Sequence, residues 1–224
     1  GPVPVVKLVK KLGVTAEIPE LPSIALGSAD ISLLEMVGAY GVFANDGIYV
    51  KPIIVTRIED RNGRVLFEYT PETHDVVSAE VARAVVNLME GVTRYGSGAR
   101  LRTKGAETYN AIYKNVMTGY PYQFTNPIAG KTGTTQNNSD GWFIGMVPNL
   151  VTGVWVGGED RAIHFRTTAY GQGATMALPV FGYYMKKCYA DKDLAVSKSP
   201  FPAPQNIQIQ IDCSKEKADN QIED

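Results

Sequence analysis

The residues of this sequence that are best suited to chemistry form one short run, Lys131-Thr132-Gly133-Thr134-Thr135, which we call the K-T-G segment. A strand-like run, residues 127–130, precedes it, and an apolar hairpin comes after it. The triplet Lys-Thr-Gly is one of three short motifs that together make up a serine active site for acyl transfer. The other two are S-x-x-K, which carries the nucleophile, and S-x-N or S-D-N. The K-T-G segment is therefore interpreted as half of an active site.

The other two motifs are missing from the chain. No S-x-N triplet occurs in it, and the only S-x-x-K match, residues 214–217, lies in a polar, charge-rich tail. A nucleophilic serine needs its lysine one helical turn away in a packed, dry pocket, where the amine can lose its proton and activate the hydroxyl. A polar tail offers no such pocket, so we interpret the match as coincidental. The nucleophile is not expected among these residues.

The composition is that of a globular domain, with 224 residues, 44% hydrophobic and 20% charged. A net charge of −1 without a long basic run argues against nucleic acid as a partner. No apolar stretch approaches the roughly 18 residues needed to span a bilayer, so any membrane anchor is expected outside this segment. Cys188 and Cys213 match no metal-ligand spacing and are expected to be unpaired. No metal or other cofactor is predicted.

Local signals predict two helices in the first part of the chain. In residues 3–12 the apolar residues and the lysines lie on different sides of a short helix, a pattern typical of an amphipathic helix. Ser32 and Glu35 have the spacing of a capping box, in which each residue satisfies a free amide at the helix start. A helix is therefore predicted from residue 33 to about residue 44.

A hairpin and a third helix are predicted next. Two β-rich runs, residues 53–59 and 65–69, are joined through Asn62-Gly63, a favoured pair for a tight turn. Ser78 is placed as the N-cap of a helix that ends near residue 95. The residues expected on the buried face of this helix are Val81, Val85, Leu88, Met89 and Val92.

The strands that must position the K-T-G segment come after it. Residues 105–126 are interpreted as a long loop with a possible helical turn at 109–116, and residues 142–147 and 151–156 as two antiparallel strands beside the K-T-G strand. A last helix, residues 174–189, is expected to kink or open at Pro179. Its predicted buried residues are Met176, Val180, Tyr184 and Met185. Residues 191–224 are interpreted as a Pro-rich linker, a strand at 207–211 and a disordered tail.

Several collinear motifs, together with the K-T-G segment, resemble the C-terminal part of the transpeptidase domain of class A, bifunctional penicillin-binding proteins. The resemblance covers roughly residues 1–190. It is carried by Ala25-Leu26-Gly27-Ser28, Gly41-Val42-Phe43-Ala44-Asn45-Asp46-Gly47, Arg57-Ile58-Glu59-Asp60, Asp140-Gly141-Trp142-Phe143-Ile144-Gly145 and Thr152-Gly153-Val154-Trp155-Val156-Gly157. Collinear motifs are far more specific than one triplet.

The resemblance implies a mixed α/β (α+β) fold like that of the transpeptidases and serine β-lactamases, an antiparallel sheet flanked by helices, of which this chain is an incomplete C-terminal portion. It implies that the S-x-x-K helix and the S-x-N loop, a glycosyltransferase domain and a membrane anchor belong upstream. The protein would then act on the extracytoplasmic face of the bacterial inner membrane, in the periplasm. Domain boundaries are expected at 1–190 for the transpeptidase portion and 191–224 for the segment after it.

The resemblance also implies the roles of the site residues. Lys131 would help to bind the C-terminal carboxylate of a peptidoglycan stem peptide and, as a catalytic residue, would polarise the S-x-N serine. The hydroxyls of Thr132 and Thr134 would bind the same carboxylate. Gly133 would let the substrate approach the backbone, and the amide of Thr134 would be one donor of the oxyanion hole. The expected partners are stem peptides and β-lactam antibiotics, with no cofactor.

Other polar residues are given structural roles. Asp140 and Trp142 are expected to support the hairpin rather than to act in catalysis. His74 and His164 have no Ser, Cys or second ligand at a recognisable spacing, so a surface or loop position is predicted. Glu35 is better explained by its capping box than as a general base.

Three functions remain open at this point. The leading hypothesis is a serine-type D,D-transpeptidase that is inhibited by β-lactams, of which this segment alone is inactive. The first alternative is a serine β-lactamase-like hydrolase, against which the Pro-rich exit argues. The second is a non-catalytic binding or structural fragment.

Overall fold

A computed structural model describes residues 1–102, 116–117, 119–202 and 208–209. Its helices are α1 (Pro2–Lys11), α2 (Leu33–Ala44), α3 (Ala79–Arg94), α4 (Thr168–Gly171) and α5 (Gly173–Ala190). Its strands are β1 (Ile48–Val50), β2 (Arg57–Glu59), β3 (Val65–Glu68), β4 (Thr73–Asp75), β5 (Ala129–Thr134), β6 (Asp140–Val147) and β7 (Leu150–Gly157). Short 3₁₀ turns lie at Pro22–Leu26, Ala99–Leu101 and Gln136–Asn138. The antiparallel strands and flanking helices confirm the predicted fold class.

The K-T-G segment lies on the first strand of a three-stranded antiparallel sheet with the order β5-β6-β7. This confirms the prediction of two antiparallel strands beside it. Helix α5 packs on one face of the sheet, where the rings of Phe143 and Phe181 lie 4.8 Å apart between their centroids. Helices α2 and α3 contact β7 and β5, respectively. Both sides of the sheet are thus held by helices.

The capping box at the start of α2 is present as predicted. The hydroxyl of Ser32 accepts from the amide of Glu35 (3.3 Å), and the Glu35 carboxylate accepts from the Ser32 amide (3.2 Å). The same carboxylate accepts from the hydroxyl and the amide of Thr15, each at 2.7 Å, and from the amide of Ala16. These hydrogen bonds, that from the Thr15 hydroxyl foremost, lower the pKa of Glu35 to about 2. Glu35 therefore ties the start of α2 to the segment after α1.

Helix α3 has the predicted bounds and the predicted N-cap, and its buried face agrees with the prediction only in part. Val81 and Leu88, which the sequence pattern places in the core, are 37% and 65% exposed. The buried residues of the helix are Ala82, Arg83, Val86, Met89, Glu90, Gly91 and Thr93. Met89 is buried as predicted, and Val85 and Val92 are half-buried, but the apolar pattern misses the polar side chains of Arg83, Glu90 and Thr93 among the buried residues.

Helix α5 runs as one helix through Pro179, and it departs from the prediction at two positions. Met176 and Met185 are buried as expected, whereas Val180 and Tyr184 are 50% and 44% exposed. The helix also buries the large apolar residues Leu178 and Phe181 together with small ones, among them Gly173, Ala174 and Ala177. The small residues let the helix lie close to its neighbours, while the large ones fill the core.

The predicted hairpin is present as β2 and β3, with shorter strands than expected. The carboxylate of Asp60 accepts from the amides of Asn62 (2.8 Å) and Arg64 (3.0 Å), and Gly63 has a φ of +81°, which suits glycine. The turn chemistry is that expected from the sequence.

Residues 195–201 form a segment, here called the C-terminal strap, that lies along the body of the molecule. Asn149 accepts from the Ser197 amide (2.8 Å) and donates to the Ala195 carbonyl (2.9 Å). Phe201 packs against the cluster that contains Val86 and Met146. The part of the chain predicted as linker thus makes defined contacts up to residue 201.

Some predictions fall on residues that the structure does not describe. They are the helical turn at 109–116, apart from its last residue, and the disordered tail 214–224 with its S-x-x-K match. Of the strand at 207–211 only residues 208–209 are described, and these two are not in a strand. Cys188 is buried and forms no disulfide within the described residues, and Cys213 lies outside them, so their pairing stays a prediction. In the described ranges no helix is long and apolar enough to cross a bilayer.

Candidate active site

The K-T-G segment occupies an open edge of the sheet. Among the described strands β5 pairs only with β6, so its other edge is free. The amide of Thr135 donates to the carbonyl of Asp140 on the β6 side (3.1 Å). Because successive amides of a strand point to opposite sides, the Thr134 amide points to the open edge. The amide that the resemblance implies as an oxyanion donor therefore faces away from β6.

Lys131 is exposed at this edge, and its ammonium group stays close to the strand. The Nζ atom donates to the carbonyl of the next residue, Thr132, at 2.7 Å. That carbonyl points to the open edge, since Thr132 and Thr134 lie two positions apart and face the same way. The positive charge is therefore held beside the outward amide of Thr134.

The two predicted threonine hydroxyls each have a partner on a different element. The Thr132 hydroxyl lies 2.6 Å from the hydroxyl of Ser97, in the loop after α3. The Thr134 hydroxyl accepts from the backbone amide of Gly173, the first residue of α5, at 3.0 Å. A hydroxyl has one proton and two lone pairs, so a hydroxyl that accepts from Gly173 can still donate to a ligand.

Gly173 brings the start of α5 against the K-T-G strand, and Gly133 lies against β6. A Cβ atom on Gly173 would lie 2.2 Å from the carbonyl oxygen of Gly133 and 2.5 Å from that of Trp142. A Cβ atom on Gly133 would lie 3.0 Å from the Cβ of Trp142, its partner on β6. The absence of a side chain therefore has a packing reason at both positions, beside the substrate access that the resemblance implies for Gly133.

Asp140 is the centre of a hydrogen-bond network that supports the hairpin. Its buried carboxylate accepts from the hydroxyl of Thr135 (2.9 Å), the hydroxyl of Ser139 (3.1 Å) and the indole N–H of Trp155 (3.2 Å). The half-buried ring of Trp142 contacts that of Trp155. The contacts with Trp155 join β6 to β7, and those with Thr135 and Ser139 hold the turn between β5 and β6, which agrees with the structural role predicted for Asp140 and Trp142.

A cleft of about 780 Å³ opens in front of the K-T-G segment. The K-T-G segment with Trp142 and Ile144 lines it on the side of the sheet. Residues of α1 and of the segment before α2, among them Val5, Val9 and Leu26, also line it, together with the charged residues Asp30, Glu159 and Arg161. The K-T-G residues thus face a space large enough for a peptide-sized ligand.

The remaining candidates lie elsewhere. His74 is exposed and contacts the Lys11 carbonyl through Nε2 (2.9 Å), and His164 is exposed in a loop, so both have the predicted surface positions. Sequence reasoning missed Ser97 and Gly173 as neighbours of the site. The only signal in the sequence is that each residue belongs to a Gly-x-Gly triplet. By itself this pattern indicates only the end of a secondary-structure element or the start of a helix.

Comparison with known proteins agrees with this geometry. The family model described as penicillin binding protein transpeptidase domain matches residues 20–174. Penicillin-binding protein 1A of Aquifex aeolicus is 32% identical over 210 residues, which cover 92% of this chain and 25% of that protein. The chain therefore spans about a quarter of the length of this curated relative.

Solved structures give the same result. The penicillin-binding protein PonA1 from Mycobacterium tuberculosis matches with a TM-score of 0.69 and 26% identity, over 92% of this chain and 53% of that one. The structure of PonA1 in complex with penicillin V matches with a TM-score of 0.63 and 25% identity, over 92% and 54% of the two chains. The predicted resemblance is confirmed: the chain belongs to the penicillin-binding protein transpeptidase family.

Proposed function

We propose that this chain is the carboxylate-binding wall of a serine-type peptidoglycan D,D-transpeptidase. The observation that carries the proposal is the open edge of β5. There the charge of Lys131, the hydroxyl of Thr134 and the outward amide of Thr134 all face one cleft. An anion and a developing oxyanion need this combination of fixed charge and directed donors.

The proposed reaction is an acyl transfer in two steps. A serine attacks the carbonyl between two D-alanines of a stem peptide, and the terminal D-alanine leaves. An amine of a second strand then attacks the serine ester, which forms the cross-link and releases the serine. In both steps the Thr134 amide would donate to the oxyanion. In the first step Lys131, Thr132 and Thr134 would hold the carboxylate of the peptide that is cleaved, and this carboxylate departs with the terminal D-alanine. Gly133 would leave room for the substrate to approach the strand.

The serine itself is proposed to come from outside these 224 residues. The chain has no S-x-N triplet, and its one S-x-x-K match lies in the polar tail. The relative from Aquifex aeolicus is about four times as long as the part it shares with this chain, so its length leaves room for further motifs. A membrane anchor and a glycosyltransferase domain upstream, and a periplasmic location, belong to the same proposal. Residues 1–190 would be the transpeptidase portion and 191–224 the segment after it.

β-Lactam antibiotics are proposed as ligands because they carry a carboxylate beside a reactive amide carbonyl. One of the similar PonA1 structures is a complex with penicillin V. A β-lactam in the cleft would therefore react with the serine as the stem peptide does, and the acyl group would stay attached.

Labelling with a fluorescent penicillin tests the proposal. We expect the protein extended upstream of Gly1 to be labelled and the 224-residue chain to remain unlabelled. We also expect Lys131→Ala in the extended protein to lower the acylation rate by about 10²-fold or more, since a directed charge near the oxyanion is lost. Lys192→Ala is the matched control, because it removes an exposed lysine that does not line the cleft. This variant should be acylated at the normal rate.

Two results would contradict the proposal. Covalent labelling of a serine within the 224 residues would show that the nucleophile is present here. Normal acylation of Lys131→Ala would remove Lys131 from the site.

A further inference from the structure

Ser97 is an exposed serine that has no assigned role in the proposed reaction. Its hydroxyl lies 2.6 Å from the hydroxyl of Thr132, a hydrogen bond in which either atom could be the donor. Ser97 comes from the loop after α3, about 35 residues before the K-T-G segment in the chain. The contact therefore joins two elements at the carboxylate-binding edge.

The backbone around Ser97 is fixed by the end of α3. The amide of Gly96 donates to the carbonyl of Gly91 (3.2 Å), and the amide of Gly98 donates to that of Val92 (3.0 Å). A Cβ atom on Gly96 would lie only 2.9 Å from the Cα of Val92, so the loop lies directly against the helix. Ser97 is thus presented at a defined place although its side chain is exposed.

The same segment is tied to α5. The buried guanidinium group of Arg100 donates to the carbonyl of Ala174 (3.1 Å) and to the hydroxyl of Thr175 (2.9 Å), both in the first turn of α5. That turn also contains Gly173, whose amide donates to Thr134. The partners of the two K-T-G hydroxyls therefore belong to elements that are bonded to each other.

We propose that Ser97 is a positioning residue that donates to the Thr132 hydroxyl and so directs the Thr132 proton toward the substrate carboxylate. A carboxylate only accepts hydrogen bonds, so Thr132 must use its single proton to bind it. The lone pairs of Thr132 are then free to accept from Ser97, as those of Thr134 accept from Gly173. Hydrogen bonds in such a chain strengthen one another. This inference rests on the proposed function and adds a residue to its carboxylate site.

The test compares Ser97→Ala with Ser97→Thr in the upstream-extended protein. Acylation rates are measured with two thioester acyl donors that differ only in their terminal group, a carboxylate in one and its methyl ester in the other. Ser97→Ala should lower the rate with the carboxylate donor by about three- to tenfold, the usual effect of one lost hydrogen bond. The rate with the ester should change by less than about twofold. Ser97→Thr, which keeps the hydroxyl, should restore the carboxylate rate.

Two further variants separate positioning from stability. Ser78→Ala removes the N-cap at the other end of α3, where Ser78 accepts from the Val81 amide (3.3 Å). It should lower stability without changing the preference between the two donors. In a Thr132→Val background, Ser97→Ala should have no further effect on the carboxylate rate, because the hydroxyl that it orients is already gone.

The outcomes distinguish the inference from the proposed function. An equal loss with both donors, an unchanged carboxylate rate, or an undiminished Ser97 effect in Thr132→Val would overturn the role of Ser97 while the transpeptidase proposal stands. If the unaltered extended protein reacts with neither donor and with no penicillin, the proposed function fails, and the inference fails with it.

Discussion

At and around the K-T-G segment, the absence of a side chain matters at some positions as much as a functional group matters at others. Lys131 and Thr134 supply charge and hydrogen bonds, whereas Gly173 lets the start of α5 approach the backbone of β5, and Gly133 leaves room for the Trp142 side chain on β6. The close approach is what lets the amide of Gly173 reach the Thr134 hydroxyl. A side chain at either glycine would therefore disturb a site to which it contributes no functional group.

We predict that Gly173→Ala destabilises the protein, by about 1–3 kcal/mol or more, because the new Cβ atom would meet two backbone oxygens that cannot move aside. The free energy of unfolding from a denaturant titration measures the change. Gly41→Ala is the matched control, since Gly41 lies inside α2 with nothing within 4 Å of its Cβ position. That change should stabilise by about 0.5–1 kcal/mol, because alanine favours a helix more than glycine does. Similar effects of the two variants would contradict the packing described for Gly173.

Among the elements, α2 has an N-terminus whose stability depends on the ionisation of the Glu35 carboxylate. The pKa of Glu35 is lowered to about 2 by hydrogen bonds from Thr15, Ser32 and Ala16. In an unfolded chain it would return to about 4.3. Since the folded-state pKa is the lower one, the contribution of Glu35 to stability is complete above about pH 5 and is lost as the pH falls toward 2.

We predict that Glu35→Gln lowers the free energy of unfolding at neutral pH by about 1 kcal/mol, the usual value of a helix cap. The difference from the unaltered protein should shrink below about pH 4.5 and vanish near pH 2. Unfolding measured at a series of pH values tests this. Glu17→Gln, an exposed glutamate before α2, serves as the control. A difference that stays constant down to pH 2 would mean that the carboxylate bonds do not contribute.

The helices show which features of this fold can be predicted from the sequence and which cannot. The bounds of α2 and α3 are predictable because their caps are local signals at Ser32 and Ser78. The buried face of α3 cannot be predicted in full, because it includes the polar residues Arg83, Glu90 and Thr93. Two of these, Arg83 and Thr93, have hydrogen-bond partners that lie far away in the chain. For the same reason the K-T-G strand is found from its motif, while Ser97, which meets it only in three dimensions, is missed.

At the scale of the whole molecule, the C-terminal strap completes the packing around α3 and β5. Phe201 is half-buried against Val86, Met89, Ala129 and Met146, the cluster that lies between α3 and the sheet. The strap therefore covers the back of the strand that carries the K-T-G segment. A region that the sequence indicates as a linker contributes to the core.

We predict that Phe201→Ala lowers the free energy of unfolding by about 2 kcal/mol, the value expected for an aromatic side chain that leaves an apolar contact. Ser199→Ala, in the same strap, should change it by less than about 0.5 kcal/mol. Denaturant unfolding of the two variants measures both. If Phe201→Ala is as stable as Ser199→Ala, the strap is not part of the folded body.

The position of α5 has a consequence for how ligands approach the molecule. Aligned peptide dipoles give the start of an 18-residue helix a partial positive charge, and Gly173 brings that end directly behind Thr134. Lys131 adds a full positive charge at the same edge, beside the carboxylates of Asp30, Asp140 and Glu159 that also line the cleft. We expect the binding of an anionic ligand to these two positive groups to weaken as the salt concentration rises, because ions screen the attraction.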